Sequence, residues 1–148
     1  MFGSVTHDAP AGDRPDLAAM VVALGRALVD AEKPILAAHG VSMWGYIVLT
    51  ALRDEPMRAQ ASLARAIGAD KTRIIGVLDD LQERGLIERA PDPADRRVHL
   101  LGLTGAGRER HAAVQAAIRV EEERLLERLP PADRTAFLRS LETLFQVR

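Results

Sequence analysis

The chain has no cysteine. That excludes disulfides, cysteine-ligated zinc, iron–sulfur clusters and thiol redox sensing, and it fits a reducing cytoplasm. Aromatic residues are scarce at 3%, with one tryptophan, Trp44, and one tyrosine, Tyr46. Neither sign of charge predominates: charged residues make up 28% and the formal net charge is -1. Total charge therefore announces no polyanion partner, and any nucleic-acid contact has to be argued locally. The apolar runs fall far short of a membrane span. Residues 1–16 are polar and contain Pro and Gly, not a charged start leading into an apolar segment, so a soluble cytoplasmic protein is expected. Around Thr104, Gly105 and Gly107 neither a P-loop nor a GxGxxG pattern is present, and capping is the simpler role. Ser42, Ser62, Ser140, the histidines and the carboxylates form no recognisable set of nucleophile, base and orienter, so no enzymatic activity is expected.

What is present suits one compact unit: 148 residues with 47% hydrophobic content can bury a real core but not two. Residues 1–16 are expected to form a flexible tail and 17–148 a single domain. Leu17, Met20, Val21, Leu24, Leu28, Ala31 and Ile35 recur at helical spacing, which predicts a helix ending near His39-Gly40. Ser42 can cap a second helix, Met43 to Arg53, with Tyr46 in phase with Leu49 on its core side. A short third helix holds Leu63, Ala64 and Ile67. In Gly68-Ala69-Asp70 the glycine suits a left-handed turn position and the aspartate an N-cap for a fourth helix, Lys71 to Arg84, ended by Gly85. Leu86-Ile87 and Val98 to Leu103 flank the turn-rich stretch from Ala90 to Asp95, the pattern of a β-hairpin. Thr104 can cap a long charged helix running to about Leu129. After Pro130-Pro131 comes a last amphipathic helix with Phe137, Leu138, Leu141, Leu144 and Phe145.

Two short helices joined by a tight turn and followed at once by a hairpin make a winged helix-turn-helix, so the expected fold is mainly α with a small β wing. In such a unit, spanning 41–104, the first turn of the second helix can enter the major groove, and a basic hairpin tip can reach the minor groove. Lys71, Thr72 and Arg73 occupy that first turn; Arg96 and Arg97 sit at the hairpin tip.

The stretch from Gln60 to Gly107 resembles the MarR family, most specifically in Leu81 to Arg89 (LQERGLIER), in Asp92-Pro93-Ala94-Asp95-Arg96-Arg97, and in Leu103-Thr104 with Gly107. The resemblance implies a transcription regulator, usually a repressor, in which Asp95 braces the wing and Arg97 enters the minor groove. It also implies that the terminal helices, 17–39 and 105–148, form a dimer interface. The chain departs from the pattern at Ile75-Gly76, where many members carry Thr-Arg in mid recognition helix. That shifts readout to Lys71, Thr72 and Arg73, or makes the site preference unusual.

The apolar stripes support the same dimer, since one winged domain of this size cannot cover them all. Leu17, Leu24, Leu125, Leu129, Phe137, Leu141, Leu144 and Phe145 are the expected interface. A pseudo-palindromic DNA site follows from the two-fold axis. Members of the family often bind small aromatic or phenolic acids between the dimer helices and the winged region. By that likeness His39, Met43, Trp44 and His111 are the expected effector contacts, and no resident cofactor is expected. Two other functions compete: a winged-helix module that binds protein, which neutral charge allows, and a zinc sensor using His39 and His111, although no metal-ligand spacing is present.

Overall fold

The computed structural model describes residues 14–55 and 58–146; most of the expected tail, 1–16, lies outside them. The long first stripe forms α1, Leu17–Ala38, which continues through Pro34. Helix α2, Met43–Asp54, starts where the Ser42 hydroxyl accepts the Gly45 N–H at 2.9 Å. A two-residue strand, β1, Arg58–Ala59, precedes α3, Gln60–Ile67, and α4 spans Lys71–Glu83. The hairpin follows as β2, Ile87–Pro91, and β3, His99–Leu103; then α5, Gly105–Leu126, and α6, Pro131–Gln146. The mainly α winged helix-turn-helix expected from the pattern is therefore the fold observed.

Apart from shifts of a single residue at element ends, three features differ from the sequence expectation, each for a local reason. Strand β1 joins the hairpin to give the order β1-β3-β2, with Arg58 opposite Leu101. It escapes the periodicity because two residues carry no alternation. Strand β2 runs on into Ala90 and Pro91, which were expected to belong to the turn; Pro91 faces His99 across the ladder. Asp92 N–H donates to Val98 O at 2.8 Å, so position 91 falls on the non-bonded side of the ladder and its missing donor removes nothing. Helix α5 ends at Leu126 instead of near Leu129: the N–H groups of Arg128 and Leu129 bond three residues back, tightening the chain ahead of Pro130.

One core lies under the winged region. Leu49 and Leu52 of α2, Leu63 of α3, Leu78 and Leu81 of α4, Leu101 of β3 and Val114 of α5 are essentially inaccessible to solvent. Burying side chains of this size is worth roughly 1.5–3 kcal/mol each. Gly107 lets α5 close onto that core. Thr104 Oγ1 donates to Gly85 O at 2.6 Å and accepts from Gly107 N at 3.0 Å, which sets the first turn of α5 against the end of α4. A Cβ on Gly107 would stand 1.9 Å from Leu86 O, so no other residue fits without moving backbone.

The terminal helices are different. Only Leu36 of α1 is buried, and α6 buries nothing. Leu17, Val21 and Val22 on α1, and Leu141, Leu144 and Phe145 on α6, are at least half exposed. Helix α1 packs on α5 and α2, and α6 is tied to α5 by the Arg134–Glu123 ion pair. Among the described residues no single helix is long and apolar enough to cross a membrane.

Candidate nucleic-acid interface

The turn between α3 and α4 is built by local chemistry. Gly68 takes φ +67, and its neighbour Ala69 donates to Ala64 O at 3.0 Å, closing α3 as the left-handed glycine allows. Asp70 then caps α4, its Oδ1 accepting the Arg73 N–H at 2.8 Å. Ile74, Leu78 and Leu81 turn inward, which leaves Lys71, Thr72 and Arg73 exposed on the first turn. Cations at a helix N-terminus oppose the helix dipole. Here the Asp70 carboxylate, with Oδ2 3.7 Å from Arg73 Nε, offsets part of that. The Arg73 guanidinium also stands 5.4 Å from the centre of the Trp44 ring. Trp44, at the start of α2, thus holds Arg73 from the other side by a cation–π contact.

The hairpin is stiffened at its tip and at its base. Asp92 Oδ1 accepts the Ala94 N–H at 2.8 Å, and Asp95 Oδ1 accepts the Arg97 N–H at 3.0 Å. Those two Asx turns fold the tip. They leave Arg96 exposed and the Arg97 side chain 95% exposed, with only a loose 3.8 Å approach to Asp95. At the base, Arg89 Nη2 of β2 meets Asp79 Oδ1 of α4 at 2.7 Å. This pair fixes the wing to the outer side of α4, a role the sequence analysis did not assign, although Arg89 lies in the LQERGLIER stretch it singled out.

The four residues expected to contact an effector each have partners within the protein. His39 ends α1, its Nδ1 2.8 Å from Ile35 O and its carbonyl accepting from Arg110 Nη1 at 2.7 Å. Met43 is half-buried against the core, and Trp44 faces Arg73. His111 lies inside, Nε2 3.1 Å from Thr50 Oγ1 and its ring stacked on Tyr46 with centroids 5.3 Å apart. Burial lowers the pKa of His111 and the nearby Arg53 charge adds to the effect, so the neutral ring is favoured. Two cavities flank α1 instead. One of about 500 Å³ is lined by Leu24, Leu28, Leu125, Phe137 and Leu141, among others, and one of about 90 Å³ by Ala27, Glu32, Ile118 and Glu122, among others. Burial, and then Glu122, raise the pKa of Glu32. None of the four expected effector residues lines either cavity.

Residues 39–98 match the model of the MarR family. A putative transcriptional regulatory protein for the hcr operon of Thauera aromatica is 30% identical over 114 residues, covering 77% of this chain and 69% of that one. Among solved structures, the transcriptional repressor CouR bound to a 23-mer DNA duplex is 29% identical, with a TM-score of 0.75 over 88% of this chain and 93% of that one. CouR from Rhodococcus jostii bound to p-coumaroyl-CoA is 26% identical, with a TM-score of 0.71 over 90% and 94%.

Proposed function

We propose, from the premise that the chain belongs to the MarR family of winged-helix transcriptional regulators, that it is a repressor binding a pseudo-palindromic operator as a homodimer. The observation that carries this is the build of the presented groups. The first turn of α4 is capped by Asp70 and exposes Lys71, Thr72 and Arg73, and a wing braced by Asp95 and by the Arg89–Asp79 pair holds Arg97 out in solvent. A capped polar helix start suits base edges in the major groove, and a solvent-exposed arginine suits the narrow, electronegative minor groove. The dimer is supported by the exposed apolar residues Leu17 of α1 and Phe137, Leu141, Leu144 and Phe145 of α6, with exposed Leu129 in the connection between α5 and α6 and with Leu24 and Leu125 half-buried beside them. A cytoplasmic location with the genome accompanies this reading, and it assigns the chain no catalytic role.

Selection of bound fragments from genomic DNA, followed by footprinting, tests it. The expected footprint has two inverted half-sites with centres about 10 base pairs or a little more apart. A single asymmetric half-site contradicts it.

The repressor reading extends to a small phenolic or aromatic carboxylate effector, the phenolic part supported by the p-coumaroyl-CoA, a phenolic thioester, bound in a neighbour that shares the fold and 26% identity. Such a ligand releases DNA only by binding one arrangement of the recognition helices more tightly than the other. A panel of aromatic acids and their coenzyme A thioesters, scored by operator release in the wild type and in Trp44→Phe, tests both the class and the place of Trp44. If no member releases DNA while zinc does, sensing through His39 and His111 replaces it.

A further inference from the structure

Helix α4 contains a glycine that its own stability argues against. Gly76 lies inside the helix on the exposed side, and a Cβ added there meets nothing within 4 Å. An alanine would therefore fit without strain, and it would stabilise the helix by removing the backbone entropy that glycine loses on folding. Beside it Ile75 is 48% exposed, although a β-branched apolar side chain gains nothing from water and is a mediocre helix former. Both neighbour the first turn: Ile75 lies four residues from Lys71 and three from Thr72, and Gly76 four from Thr72 and three from Arg73, so all share one helical surface. An open notch next to an unburied branched methyl group, on the side of α4 that carries Thr72, is a shape that fits an apolar group protruding from a surface brought very close. In the major groove the group that protrudes is the C5-methyl of thymine, which is read by apolar contact.

We propose that Ile75 and Gly76 are specificity-determining residues: Gly76 lets the α4 backbone approach the base edges, and Ile75 packs against a thymine methyl in each half-site. This rests on α4 being the recognition helix. It assigns base readout to the two positions where the chain departs from the Thr-Arg pattern, so that readout does not fall to Lys71, Thr72 and Arg73 alone.

The test uses the full-length protein and duplexes selected from a randomised pool, in which each thymine of the half-site is replaced in turn by deoxyuridine, which lacks only the methyl. At one thymine per half-site the wild type should lose about fourfold in affinity, the worth of one buried methyl group. Ile75→Ala should lose a similar factor on the thymine duplex and nothing further on the uridine one. Gly76→Ala should raise the melting temperature by about 2–4 °C while weakening binding about tenfold or more, as a misfit base pair does. Opposite signs for folding and binding are not produced by a merely structural glycine. If Ile75→Ala and Gly76→Ala bind as the wild type does while Arg73→Ala is impaired, the recognition helix stands and this inference falls. If Arg73→Ala also binds normally, α4 is not the reading helix and both fall.

Discussion

Replacing Leu144 with alanine should weaken the proposed dimer without loosening the protomer. The side chain is 68% exposed in the single chain, so it contributes little to folding there and has most of its surface left to bury against a partner. Full burial of a leucine is worth roughly 1.5–3 kcal/mol. Scaled by the exposed fraction, that is about 1–2 kcal/mol per protomer, and a two-fold interface counts it twice, about 2–4 kcal/mol per dimer. The dimer dissociation constant should rise roughly 30- to 1000-fold. Sedimentation equilibrium across a dilution series measures it directly. Thermal unfolding of the monomeric species at the lowest concentrations should stay where it was, because Leu144 has no core contact to lose. A dissociation constant within about threefold of the wild type would show that the exposed face of α6 is not the interface, and the argument from uncovered stripes would fail.

Three further outcomes follow from named contacts. Gly107→Ala forces a Cβ onto Leu86 O and should lower the melting temperature by roughly 5–10 °C, about 2–3 kcal/mol of overpacking; an unchanged melting temperature would mean α5 can slide at no cost. Burial lowers the pKa of His111, so the folded state binds fewer protons there than the unfolded chain. Stability from this group is complete above about pH 6.5 and is lost as pH falls below that value; the urea midpoint should drop from pH 7.5 to 5.5, and less so in His111→Gln, with equal slopes refuting the role. Because Arg73 stands over Trp44, adding operator should change the tryptophan emission, and Arg73→Ala should alter the free spectrum and remove most of that response. Identical spectra for the two proteins would show that the cation–π contact is not populated.

The elements readable from the sequence were those whose causes are local. Ser42, Asp70 and Thr104 were identified as caps from residue type next to an apolar stripe, and each side chain accepts the N–H three residues on. Gly68 was assigned its left-handed turn for the same kind of reason. What escaped depends on parts of the chain far from one another. The Arg110 contact with the His39 carbonyl spans 71 residues and the His111 contact with Thr50 spans 61, and neither has a signature in periodicity. His39 and His111 look like free polar groups when only their types are known; one is a helix end held by an arginine and the other a core residue stacked on Tyr46. Trp44 sits beside Arg73 because α2 and α4 pack together, so its aromatic face belongs to the side of the molecule that presents Arg73. Strand β1 has no sequence signal at all, since β3 supplies its only reason to be extended.

The central claim is that α4 and the wing grip a duplex through their cations, and the salt dependence of binding tests it most directly. Affinity for a selected operator should fall steeply and linearly on logarithmic axes as salt rises, through release of the counterions that the cations displace. In Arg97→Ala, with its solvent-exposed guanidinium gone from both wings, the slope should drop by about one unit per protomer, roughly two for the dimer. The melting temperature should not move. An Arg97→Ala protein with the wild-type slope and affinity would mean that the wing does not touch DNA, and would contradict the account.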